Sequence, residues 1–211
     1  MISYLFLILI LLFSIVIHEV SHGAMAYHLG DSTAKYAGRL TLNPLKHLDP
    51  VGSIILPLFL ILMSKLMGGG IIFGWAKPVP INPYNLKDPK YGQAKVAVAG
   101  PGANILIALI FGLIMRFLPT GSLMLENLYM IFGFIVYINI LLALFNILPI
   151  PPLDGSHILF AFLPSSMENI KIFLRQYGMF ILLFIIFFLF QWILPLIFFI
   201  YKLIAGRPLA F

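Results

Sequence analysis

The sequence predicts an all-α polytopic membrane protein, a bundle of about five to six transmembrane helices with a short extended or re-entrant segment near residues 70–84. Three observations predict it. Of the 211 residues, 62% are hydrophobic and only 9% are charged, against roughly a quarter charged in soluble domains. The apolar residues gather in five long stretches. Between two of them lies a run of glycines and prolines that cannot be helical. Once the apolar stretches are placed, no length remains for a separate soluble domain, so residues 1–211 read as a single membrane-embedded domain.

The first stretch runs from Ile2 to Leu29. No Lys or Arg precedes it and it continues into His18-Glu19, so it reads as a retained membrane helix and not as a signal peptide. The second, Val51 to Met67, is short for a span, since crossing takes about 20 apolar residues. The third covers Ala94 to Leu118 and the fourth Leu123 to Leu148. The last, Ile170 to Tyr201, is long enough for one tilted helix or two shorter ones, with Pro195 as the expected kink. Residues 31–50 carry Asp31, Lys35, Arg39, Lys46, His47 and Asp49 and read as an interfacial loop. Residues 74–83, Gly-Trp-Ala-Lys-Pro-Val-Pro-Ile-Asn-Pro, suit an extended strand at a sheet edge or a re-entrant loop lined by protein. Counting Lys and Arg on alternate sides of five crossings gives no clear excess, so the positive-inside rule does not orient the chain at this level.

The absence of cysteine excludes disulfides, thiolate metal sites and cysteine nucleophiles. Any metal is held by His, Asp or Glu. The net charge of +6 fits loop cations near anionic headgroups, and no basic run with interleaved aromatics points to nucleic acid. The expected surroundings are the lipid bilayer.

His18-Glu19-Val20-Ser21-His22 is an HExxH sequence. Residues four apart share a helix face, so His18 and His22 can point at one metal ion. Glu19 beside them can take a proton from water and pass it to a leaving amine. Two imidazoles and one carboxylate with an open fourth position form a hydrolytic zinc arrangement, with one Zn2+ per chain. Ionisable groups inside a membrane helix are costly and are usually functional. The alternative is a polar cluster satisfied by neighbouring helices.

The third ligand comes from a short list. Besides Glu19, the acids are Asp31, Asp49, Asp88, Glu126, Asp154 and Glu168. Asp154 ends Asn146-Ile-Leu-Pro-Ile-Pro-Pro-Leu-Asp154-Gly155, where three prolines free its carboxylate from any helix face. Asp is also a favoured helix cap, and on the residues alone both roles stand. His28, His47 and His157 are rival ligands. His28 is on a different face from His22, His47 lies in a polar loop, and His157 reads first as a surface imidazole, with support of Asp154 from behind as the alternative.

At these motifs the sequence resembles the site-2 protease family of intramembrane zinc metalloproteases. His18 through His22 matches its HExxH, and Asn146 through Gly155 matches its second motif, an Asn followed by Pro and ending in Leu-Asp-Gly. Gly100-Pro-Gly-Ala-Asn104 and Gly74-Trp-Ala-Lys-Pro78 are similar to stretches of short bacterial members. The resemblance covers most of the chain and fades after about Pro164. It implies zinc on His18, His22 and Asp154, Glu19 as general base, and Asn146 holding substrate or polarising its carbonyl. It implies an endopeptidase acting on a transmembrane protein substrate, in the plasma membrane of a prokaryote. No PDZ-like domain is recognisable, which leaves substrate selection without a docking module.

Asn139 and Asn146 are seven apart and share a helix face. Asn139 and Asn104 read as interhelical hydrogen-bonding residues and Asn146 as the functional amide. Gly100, Gly102 and Ala103 would let the third helix approach a neighbour closely. A membrane metal transporter is the competing class. It would place polar groups on several helices along a path, whereas here they cluster around one motif.

Overall fold

A computed structural model of the chain describes residues 4–55, 59–60, 62–63, 77–119 and 121–209. The fold is an all-α polytopic membrane fold with no strand among the described residues. The helices are α1 (Tyr4–His28), the four-residue α2 (Thr33–Tyr36), α3 (Gly92–Phe117), α4 (Leu123–Asn146), α5 (Asp154–Phe162), α6 (Glu168–Phe184) and α7 (Phe190–Ala205). Four stretches among the described residues are long and apolar enough to span a bilayer: Phe6–His28, Gly92–Phe117, Leu123–Asn146 and Ser165–Ala205. The expected second span, Val51 to Met67, lies about half outside the described residues, beginning with a π-helical turn at Pro50–Ile55, and the expected extended residues 70–76 lie wholly outside them. Residues 77–82, within the expected extended segment, are non-helical as their prolines require.

The last span is 41 residues long, about 60 Å at 1.5 Å per residue, twice the roughly 30 Å of a hydrocarbon core. Its irregularity is not at Pro195, which lies inside α7. It is a π-helical turn, Ile185–Leu189, between α6 and α7. Membrane helices accommodate a proline where neighbours re-satisfy the freed carbonyl.

Lipid removes the hydrophobic drive between helices, so small residues and polar contacts must hold the bundle. Ala108 and Met115 of α3, Val136 and Ile140 of α4, and Ile197, Tyr201 and Ala205 of α7 form the largest buried cluster. Gly133 admits the Tyr201 hydroxyl, which a β-carbon there would meet at 2.9 Å. The outward residues Leu106, Ile110 and Leu113 of α3 remain exposed, as lipid-facing positions should.

Hydrogen bonds fix the relative direction of α1 and α3. His22 of α1 bonds Val96 of α3, while His18 and the Ser14 carbonyl both bond Asn104. As α1 advances α3 retreats, so the two run antiparallel. The exit from α1 and the approach to α3 meet at one end of the bundle, where Lys87 N–H donates to Leu29 O at 2.9 Å. Leu29 and Lys87 therefore lie at the same end of the bundle, and α3 starts where α1 ends. Gly30, with φ of 108°, turns the chain out of α1 in a conformation that disfavours any side chain. Buried Asp31 then ties the return strap down. It accepts Asn82 N–H at 2.7 Å and Asn85 Nδ2–H at 3.0 Å, besides Thr33 N–H at 3.1 Å. Burial raises the Asp31 carboxyl, but its bonds from Thr33, Asn85 and Asn82 outweigh that and hold it below the usual carboxylate range.

Candidate active site

Two segments supply the candidate ligands at the end of the bundle where α1 exits. Helix α1 supplies His18, Glu19 and His22. The turn after α4 supplies Asp154, the first residue of α5, and makes no side-chain cap at that helix start. Instead Asp154 Oδ2 lies 3.0 Å from His18 Nε2 and 3.2 Å from His22 Nε2. The two Nε2 atoms are 3.0 Å apart, and the rings meet edge to face. The α4 helix delivers Asp154 to this depth because α3 and α4 make two crossings and return the chain to the exit side of α1.

The tautomers follow from the partners. His22 Nδ1 is 2.7 Å from the Val96 carbonyl oxygen, which only accepts, so Nδ1 carries the proton. His18 Nδ1 donates to Asn104 Oδ1 at 2.6 Å. The Asn104 amide nitrogen in turn donates to Asn139 Oδ1 at 2.8 Å and the Ser14 carbonyl at 3.3 Å, and Asn139 donates to Ser14 Oγ at 2.9 Å. Both Nε2 atoms thus present lone pairs, to each other and to a carboxylate oxygen. Such convergence is repulsive unless a cation lies between them. Ligands about 2.0–2.2 Å from a tetrahedral zinc stand roughly 3.3 Å apart, close to the 3.0–3.2 Å found here. His18, His22 and Asp154 are the group of His and acidic side chains, among the described residues, whose ligand atoms gather within 4.8 Å. The donor set fits a zinc ion.

Gly100 makes this closeness possible. A β-carbon there would meet His18 Cε1 at 2.7 Å and clash with His22 Nε2. Gly102, expected in the same packing role, meets nothing within 4 Å. Two residues on, it faces away around the helix.

His18, Glu19, His22, Val79, Asn146 and Asp154 line a cavity of about 400 Å³. Glu19 Oε2 accepts the Val79 N–H at 2.9 Å. Asn146 reaches the cavity wall, but its Nδ2 donates back to Leu142 O at 2.9 Å within its own helix. His157 also lines the cavity. His28 is exposed at the end of α1, and buried His47 donates from Nε2 to Thr41 O at 2.9 Å.

Asn104 and Asn139 make the interhelical hydrogen bonds that the sequence leads one to expect; what it does not reveal is that these bonds end on His18 Nδ1. The available signal was uncharged: amides inside apolar helices, which need a partner. The Val79 N–H had no side-chain signal at all.

Residues 117–189 match the profile of Peptidase family M50. Three similar proteins each carry the name "Putative zinc metalloprotease". YwhC of Bacillus subtilis is 38% identical over 183 residues, 84% of this chain and 78% of that one. Rip2 of Mycolicibacterium smegmatis is 33% identical over 147 residues, 68% of this chain and 52% of its own. MJ0611 of Methanocaldococcus jannaschii is 40% identical over 91 residues, 42% of this chain and 46% of its own. No solved structure matches the chain.

Proposed function

Because the chain belongs to peptidase family M50 and is a zinc metalloprotease of the site-2 protease type, we propose that it cuts a transmembrane protein substrate inside the bilayer. One observation carries this reading: His18, His22 and Asp154 converge beside Glu19 on the wall of one cavity in a membrane-spanning bundle. His18, His22 and Asp154 would hold the zinc. When bound, zinc supplies Lewis acidity that polarises a carbonyl and makes water nucleophilic at neutral pH.

The remaining work falls to the chain. Glu19 accepts the proton of the attacking water and delivers it to the leaving amine. Asn146 contacts the substrate carbonyl once its amide turns from Leu142 into the cavity. A substrate helix presents no free peptide group, because its backbone bonds are internal, so it must unwind to reach the site. Residues 77–82 form the wall against which an extended stretch would lie. Their pairing is partial. Pro78 and Pro80 lack N–H groups, and those of Lys77, Val79 and Asn82 already have partners. The test uses purified protein in proteoliposomes with a single-pass membrane protein. Cleavage is expected to stop with a chelator and return with zinc. Cleavage that persists without metal overturns the reading.

The antiparallel path supports an orientation. Lys35, Arg39, Lys46, Lys77, Lys87, Lys90 and Lys95 lie at the site end of the bundle, as do Lys171 and Arg175 beside α5. Arg116, Lys202 and Arg207 lie at the other end, where Arg116 bonds Leu203 O. Among the described residues, nine against three supports a site end that faces the cytoplasm of a prokaryotic cell under the positive-inside rule. Single cysteines at Lys46 and Lys87 should both label from the cytoplasmic side with an impermeant reagent. Labelling from opposite sides contradicts the path, and labelling of both from outside reverses the orientation.

Asn104 acts on the zinc through His18, whose other ring nitrogen it holds. Such partners tune metal affinity by about 10–100-fold. Asn104→Leu, similar in shape, should weaken zinc binding by about that factor in a competition titration. Unchanged affinity would reduce Asn104 to a packing residue.

A further inference from the structure

Arg39 is buried, with 8% of its surface exposed, yet among the described residues no carboxylate forms an ion pair with it. A buried cation without a counter-charge is costly. Its Nη2 donates to the carbonyl oxygens of Lys77 at 2.8 Å and Pro78 at 3.2 Å. The Pro78 carbonyl and the Val79 N–H belong to one trans peptide unit, in which the two groups point in opposite directions. That N–H donates to Glu19 Oε2 at 2.9 Å. A guanidinium thus stands at one end of a peptide dipole and a carboxylate at the other. The cation polarises the peptide and strengthens its N–H as a donor. Pro78 and Pro80 have no N–H, so Val79 offers the one donor of this three-residue stretch.

The relay is anchored on the same helix as the group it serves. A β-carbon at Gly23 of α1 would meet Leu40 Cδ2 at 2.7 Å and Val79 Cγ1 at 2.9 Å, so both neighbours of the relay pack directly on α1. Arg39 itself is fixed by its backbone N–H on Ala34 O at 3.0 Å.

We propose that Arg39 is a positioning residue for peptide hydrolysis: acting through the Pro78–Val79 peptide unit, it orients the Glu19 carboxylate and leaves the second oxygen of that carboxylate for the reaction. The kinetic part rests on Glu19 being the base; the relay itself does not.

The full chain in lipid nanodiscs provides both tests. Hydrogen exchange of a fragment spanning residues 77–82 reads the relay without any activity. The Val79 amide is expected to exchange at least about tenfold faster in Arg39→Met and in Glu19→Ala, and no faster in the double variant, because one interaction is lost in each. Unchanged exchange in Arg39→Met overturns the relay. For turnover, Arg39→Met should keep its zinc and its KM within about twofold while kcat falls about 10–100-fold, the signature of a misplaced group. Arg39→Lys should recover most of kcat. In the Glu19→Asp background, whose shorter side chain no longer reaches Val79, the same Arg39 change should lower kcat by less than about threefold. An equal loss in both backgrounds, a loss of zinc, or a rise in KM alone each overturns the proposal. Should Arg39→Met fail to insert, Arg39→Gln, which keeps a donor but not the charge, carries the same comparisons. Near-normal turnover of Glu19→Gln would instead remove Glu19 as base while leaving the exchange result standing.

Discussion

Glu19→Gln is expected to abolish detectable proteolysis while the protein keeps its full zinc content. The amide has the size of the carboxylate and its oxygen can still accept the Val79 N–H that Glu19 Oε2 accepts at 2.9 Å. The cavity wall therefore keeps its shape, and His18, His22 and Asp154 are untouched. What is lost is the ability to take a proton and give it back. A positioned acid–base group contributes about 10²–10⁴-fold, and the fall in turnover should lie in that range. Zinc analysis and cleavage of the same preparation check it together. Turnover near that of the unmodified protein would remove Glu19 from the mechanism. Loss of zinc would make it a ligand or a structural support.

Asp154→Asn should have the opposite signature, with zinc lost first and cleavage lost in consequence. Asp154 Oδ2 faces two imidazole lone pairs at 3.0 and 3.2 Å, and a neutral amide answers a dication much less well than a carboxylate. The loss of affinity should exceed the about 10–100-fold expected for outer partners such as Asn104. His18→Ala and His22→Ala should behave alike. Metal analysis of the purified variants decides the matter. Full occupancy in Asp154→Asn would pass the third position to another group on the cavity wall, where Glu19 and His157 are the remaining candidates.

The membrane class and the main spans were legible because a bilayer demands long apolar helices, and composition alone reports that demand. The HExxH helix was legible because its spacing coincides with the helical repeat. Asp154 was half legible. Its proline-rich approach suggested a freely aimed carboxylate, but only the antiparallel path of α1 and α3 explains how a residue so far along the chain reaches the right depth. That path depends on where the chain between the first and third apolar stretches goes; the apolar pattern allows span or return, and only the need to bring Asp154 to the depth of His18 and His22 argues from sequence for residues 51–83 making no net crossing. Orientation was hidden for the same reason, since counting cations requires knowing which loops share a side. The Val79 N–H and its Arg39 anchor were illegible, because a backbone donor has no letter in the sequence and a loop arginine looks like any surface cation.

The separation of the three candidate ligands along the chain has a consequence for biosynthesis. His18 and Asp154 are 136 residues apart. At about 5–20 residues per second, a ribosome needs on the order of ten seconds between them. During that interval the first helix enters the membrane with two imidazoles and Glu19 but without Asp154, an incomplete set for the proposed zinc site. Two more spans must insert and the proline turn must form before the third donor arrives. On the proposed ligand set, a chain still being made would lack its third zinc donor until the proline turn after α4 has formed.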